Sequence, residues 1–224
     1  MFSGDYPALV NQAATHLGPS GFDPGYKEEE MLNSYYRQLC PVSLPYAGRQ
    51  HYMHGFDLSA PKMLAGFEDY LEPVVALTRA AGALVGKAWM TVDEKVVQPG
   101  MSQRRPGPHV DGQFIQAHRS WEHGPGGGWN HGCNNVPLAR MPVIVAASAV
   151  GCRAWDGVFD ATPRNDGDLS HIELGEGEIL PANVGYLLSP DCVHESMVMD
   201  APTKRSFLRI ALPVDFASAR DTHP

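Results

Sequence analysis

From Lys87 to Pro213 the chain stops reading with a helical period and breaks into short runs: "KAWMTVDEKVVQ", "PVIVAASAV", "CRAWDGVF", "SHIEL", "GYLLS", "VHESMVM" and "SFLRIALP". Each run is rich in β-branched or aromatic residues, and clusters of Pro, Gly, Asn and Asp separate them, which is the pattern of turn-linked strands. The 23 glycines and 19 prolines supply those turns. Ahead of the runs the pattern is helical. "KEEEMLNSYYRQLC" (27–40) starts with acidic residues suited to the positive end of a helix dipole and is stopped by Pro41. In 59–86, Ser59 is the expected N-cap and Pro61 a first-turn residue; Leu64, Phe67, Leu71, Val74, Val75 and Thr78 form an apolar stripe, with Pro73 expected to kink it.

Helices first and strands afterwards predict a mainly β fold: an antiparallel jelly roll or barrel, with the N-terminal helices packed on the outer face of one sheet. At 224 residues the simplest organisation is one domain: a helical part at 1–86, a β core at 87–213 and a tail at 214–224. The four cysteines, Cys40, Cys133, Cys152 and Cys192, are scattered and form no Cys-x-x-Cys pair, which points to reduced thiols. The first residues show no basic start followed by an apolar run, and no stretch is long and apolar enough to span a bilayer, so the expectation is a cytoplasmic protein without membrane contact. A net charge of −8 disfavours a broad grip on nucleic acid.

Candidate chemistry gathers at "RRPGPHVDGQF" (104–114). His109 and Asp111 stand two apart, so in an extended segment both project to one face. His194, in "SPDCVHESMVM", is a further metal-capable side chain on a predicted strand. Taking "MDAPTK" as the hairpin turn after it places Arg209 opposite His194. Arg205 and Phe207 then share that face, and Leu208, Ile210 and Leu212 face the helices. An arginine in an apolar strand is costly to bury unless it meets an anion, so a carboxylate is its expected partner. Two histidines and a carboxylate leave the opposite positions of a metal open, the arrangement used by non-haem Fe(II).

The glycine-rich stretch "SWEHGPGGGWNHGCNN" (120–135) reads as a surface loop, with an active-site lid as its functional reading; His123, His131 and Cys133 match no familiar zinc finger. Arg104 and Arg105, beside His109, are candidates for binding an anionic substrate. Trp121 and Trp129 are candidates for stacking on one, including a nucleobase.

In this order, His-x-Asp, a distant His and then Arg, the chain resembles the Fe(II)/2-oxoglutarate-dependent oxygenases, over roughly residues 87–213. The resemblance implies a double-stranded β-helix core, with Fe(II) on His109, Asp111 and His194. It also implies 2-oxoglutarate chelating the metal with its far carboxylate on Arg209 or Arg205, and O2 in the last position. The implied reaction is hydroxylation of a C–H bond in a small substrate, with release of succinate and CO2. The family often has a small polar residue two positions after the arginine. Here Ala211 follows Arg209 and Phe207 follows Arg205, so the strand arithmetic alone favours Arg209. A nucleobase hydroxylase of the same superfamily, a cupin-type metal enzyme and a non-catalytic jelly-roll module are the rival readings. The cupin pattern of His-x-His followed by Glu is not met, since Asp111 fills the second slot.

Overall fold

The computed structural model describes residues 31–111, 141–164 and 167–213. Eleven strands are found there, with one α-helix. In chain order they are β1 (Met31–Ser34), β2 (Tyr36–Pro41), β3 (Gln50–Asp57), α1 (Leu71–Ala81, entered through a 3-10 turn at Glu68–Tyr70), β4 (Lys87–Val97), β5 (Val143–Ala147), β6 (Cys152–Trp155), β7 (Gly157–Asp160), β8 (Glu178–Leu180), β9 (Val184–Leu188), β10 (Val193–Ser196) and β11 (Thr203–Ala211). The protein is mainly β, as the turn-linked runs predict. A six-stranded sheet has the order β2-β9-β5-β11-β4-β3, a three-stranded sheet the order β10-β6-β8, and β1 pairs with β7. All these pairings are antiparallel.

The expected helix at 27–40 is corrected: from Met31 onward that segment is strand. Leu32 and Ser34 are buried while Met31 is exposed, an alternation of period two that the acidic start of the segment concealed. The second helix is shorter than its stripe suggested. Ser59 caps no helix; its amide and hydroxyl both donate to the Asp57 carboxylate in a local turn, at 2.8 and 2.7 Å. Pro73 does not kink α1, because it lies in the first turn, where an amide has no intrahelical partner to lose. Gly82, at φ +82°, takes the left-handed position that closes the helix, and its amide donates to the Arg79 carbonyl.

Two apolar layers line the large sheet. Val74, Leu77 and Ala81 of α1 pack with Ala88, Met90, Val92, Ile144, Leu208, Ile210 and Leu212 on its outer face. The approach is close: a side chain at Gly185 of β9 would run into Leu77. On the inner face, Val143, Val145, Tyr186, Leu188 and Phe207 meet Ala154 and Leu180 of the small sheet. The two faces of β11 therefore divide as expected, with Arg205, Phe207 and Arg209 inside and Leu208, Ile210 and Leu212 outside.

The predicted hairpin between β10 and β11 is overturned. β10 pairs with β6, setting His194 beside Ala154, whereas β11 pairs with β4 and β5, setting Arg209 between Thr91 and Val145. The segment around Pro202 carries the chain from one sheet to the other instead of closing a tight ladder. "SHIEL" is not a strand, and β3 and β8 are strands the sequence reading did not name. Among the described residues no helix is long and apolar enough to cross a membrane.

Candidate metal centre

Three short segments bring the candidate ligands together. His109 and His194 exchange both backbone hydrogen bonds, each 2.9 Å, which zips the His-Val-Asp segment alongside β10. On the other side the Val110 amide donates to Gly167 and the Leu169 amide to Pro108, at 3.1 and 2.9 Å. Val110 is fully buried, packed with Leu32, Trp155 and Leu169. Successive residues of an extended segment point oppositely, so the burial of Val110 sends His109 and Asp111 to the other side, toward His194.

One ligand atom from each of His109, Asp111 and His194 lies within 4.8 Å of the others. The imidazole centroids are 4.6 Å apart, and His194 Nε2 is 3.7 Å from Asp111 Oδ1. Both rings are fixed the same way. His109 Nδ1 lies 2.8 Å from the Gly107 carbonyl and His194 Nδ1 2.9 Å from the Cys192 carbonyl, contacts that place the ring proton on Nδ1 and leave Nε2 as a lone-pair donor. Burial, with His194 close by, pushes the His109 imidazole down to about 3, so it is neutral and able to ligate across the neutral range. Burial works to raise the Asp111 carboxyl, but the charge of Arg209 and the two histidines outweigh it and hold Asp111 well below the usual carboxylate range. A carboxylate and two imidazoles converging on one point are a donor set that fits a divalent transition metal.

The ligands open onto a cavity of about 170 Å³, walled by Val145, Leu180, Leu188 and Phe207 on its apolar side and by Arg104, Arg105 and Arg209 among its polar groups. The arginines differ in what they meet. Arg209 places Nε 2.9 Å and Nη2 2.8 Å from Asp111 Oδ2, so its charge is matched by the ligand carboxylate. Arg205 does not line the cavity: it is wholly buried, one side chain behind the wall. Its donors go to the Ala149 carbonyl at 3.1 Å, Gln103 Oε1 at 2.6 Å and Cys152 Sγ at 3.1 Å, and Cys152 is itself part of the wall. No carboxylate among the described residues pairs with Arg205.

Of the remaining candidates, Trp121 and Trp129, the lid reading of 120–135, and His123, His131 and Cys133 lie outside the described residues. Asp93 and Gln103 were missed by sequence reasoning. For Asp93 a signal was present in "TVDEKVV", where two acids interrupt a β-branched strand and so must each find a buried partner; Gln103 lies outside that stretch and had none. No protein-family model matches the chain, and no curated protein matches it.

Proposed function

We propose that this protein is a non-haem Fe(II)- and 2-oxoglutarate-dependent dioxygenase that hydroxylates a C–H bond of a small molecule, its antiparallel sheets forming a double-stranded β-helix. The observation that carries this reading is the triad of His109, Asp111 and His194 on one side of a cavity, with both imidazoles oriented through Nδ1. Two histidines and one carboxylate leave half of an octahedral shell for exchangeable ligands, which a closed structural zinc site does not. When bound, the metal would supply oxygen activation coupled to decarboxylation of the 2-oxo acid to succinate and CO2.

The chain's own contribution is placement. Arg209 occupies Asp111 Oδ2 and turns Oδ1 toward His194, which favours ligation through a single carboxylate oxygen. Val145, Leu188 and Phe207 keep the cavity's inner wall dry. The far carboxylate of the 2-oxo acid falls to Arg205 in place of Arg209. The hairpin geometry that favoured Arg209 does not exist, and Arg209 already has an anion. Arg205 is a buried cation with neutral acceptors, which an incoming carboxylate would balance once the Cys152 thiol turns aside.

The test is anaerobic addition of Fe(II) and 2-oxoglutarate to the purified protein. A visible metal-to-ligand charge-transfer band is expected, absent in His109→Ala; no band in the intact protein would overturn the reading. Arg205→Gln is expected to weaken 2-oxoglutarate binding about 100-fold, as loss of one partner of a buried charge pair does. A larger loss in Arg209→Gln than in Arg205→Gln would return the carboxylate to Arg209.

A further inference from the structure

Arg104 stands at the cavity wall with its side chain 36% exposed. Its backbone is fixed on both sides: its amide donates to Ser196 Oγ at 3.1 Å and its carbonyl accepts from Ser102 Oγ at 2.7 Å. The guanidinium lies 5.4 Å from the ring centroid of Tyr52 and 5.7 Å from that of Phe207, so two aromatic faces hold it. Among the described residues its one carboxylate is Asp93, at 3.7 Å from Nη1, an ion pair too long to be a hydrogen bond. Asp93 is wholly buried and is shared with Lys95, whose Nζ is 3.1 Å away. Among the described residues two cations divide one carboxylate, so one positive charge is left over beside Arg104. Among the described residues, no hydrogen bond takes up the guanidinium donors of Arg104. A rigid planar fork with unspent donors in a cavity wall is built to receive an oxyanion.

We propose that Arg104 is the anchor for an oxyanion on the primary substrate, a carboxylate or a phosphate. It holds that group at the end of the cavity marked by Phe207 while the rest of the molecule faces the triad. Calling the ligand a substrate rests on the oxygenase reading; the oxyanion site itself rests on Arg104, Asp93 and Lys95 alone. The role is distinct from that given to Arg205, which lies behind the wall with Gln103, Ala149 and Cys152 as its neutral acceptors.

The full-length chain is titrated by calorimetry with inorganic phosphate and, separately, with acetate, and Co(II) uptake is read from its visible absorption on the same samples. The expected result is saturable binding of at least one probe, weakened tenfold or more in Arg104→Gln and unchanged in Arg164→Gln, an exposed arginine paired with Asp168. The tighter probe names the group. Arg104→Lys keeps the charge and loses the fork, so it is expected to fall between wild type and Arg104→Gln, and it serves if the glutamine variant does not fold. Binding that is unchanged in Arg104→Gln, or no binding of either probe, overturns the proposal. Failure of Co(II) uptake with anion binding intact would instead break the oxygenase reading and leave the anion site standing.

Discussion

Glu94 and Arg205 are both buried charges on adjoining strands, yet the protein treats them oppositely. Glu94, on the outer face of β4, is 1% exposed, and its carboxylate is surrounded: Arg49 Nη2 at 2.9 Å, the amides of Ala47 and Arg49 at 2.6 and 2.9 Å, and the Tyr70 hydroxyl at 2.8 Å. Arg49 continues to Asp69 through both of its terminal nitrogens. Arg205, on the inner face of β11, is 0% exposed and meets a carbonyl, an amide oxygen and a thiol. Each group must recover the solvation it lost on burial. Glu94 does so within the protein, which marks a structural network. Arg205 does so only in part, and the charge left over lies one side chain behind a cavity wall.

The comparison breaks most severely at Glu94. Glu94→Ala strands two backbone amides, leaves the Tyr70 hydroxyl only the Pro45 carbonyl at 3.4 Å and removes a partner of Arg49, so we expect a loss of about 3 kcal/mol. Urea unfolding measures it, and Co(II) uptake at the triad should be unchanged in the folded fraction. A loss under about 1 kcal/mol would mean that the network is as dispensable as an exposed ion pair.

The two faces were unequally legible in the sequence. The alternation that divides β11 into Leu208, Ile210 and Leu212 against Arg205, Phe207 and Arg209 is local, since the side-chain period of a strand needs no knowledge of its neighbours. That His109 and Asp111 share one side was legible for the same reason, both lying in a short extended segment; His194 joined them only through the resemblance, because its pairing with His109 is long-range. Pairing was not local. Whether β10 folds back on β11 or crosses to β6 depends on which sheet gains more burial, and the turn-like "MDAPTK" is compatible with both. The strands at 31–41 were hidden because "KEEE" imitates the start of a helix, while the residues that decide the matter, Trp155 and Val193 packed against Leu32, lie more than a hundred positions away.

Acid sharpens the contrast. In the metal-free protein the His109 imidazole is pushed down to about 3, chiefly by burial, against an ordinary value near 6.5 in the unfolded chain. Between those values the unfolded chain binds a proton that the folded one refuses, so stability falls as pH drops below about 6.5, by at most about 1.4 kcal/mol per pH unit. The Glu94 carboxyl, which burial would raise, is held below its ordinary range by its hydrogen bonds to Arg49, Ala47 and Tyr70. Its stabilisation is complete above an unfolded value near 4.3 and is lost as pH falls further. Inner-face sensitivity therefore begins about two pH units above that of the outer face. His109→Gln should remove the upper limb of a stability-against-pH curve and leave the lower one; an unchanged curve would show that His109 protonates as readily in the folded chain as in the unfolded.

The smallest expected change in stability is the most telling one. Arg205→Met replaces the guanidinium with an apolar chain of similar reach, abolishing a buried charge that no carboxylate of the described chain balances. Against that gain, Gln103 Oε1 and the Ala149 carbonyl lose their donors, a cost of about 1 to 3 kcal/mol. Relief of the uncompensated charge is of similar size, since buried ionic groups can be replaced by hydrophobic ones at little or no cost. The two nearly cancel, and the unfolding free energy should stay within about 1 kcal/mol of wild type. Binding has no such compensation: without the cation, the far carboxylate of 2-oxoglutarate would enter an apolar pocket unpaired, and its affinity should be lost while Co(II) uptake persists. A residue kept for the fold would show the reverse, a large loss of stability with ligand binding preserved in whatever folds. Glu94 is expected to behave in that second way, so the two variants, measured side by side, separate a charge buried for architecture from one buried for a ligand.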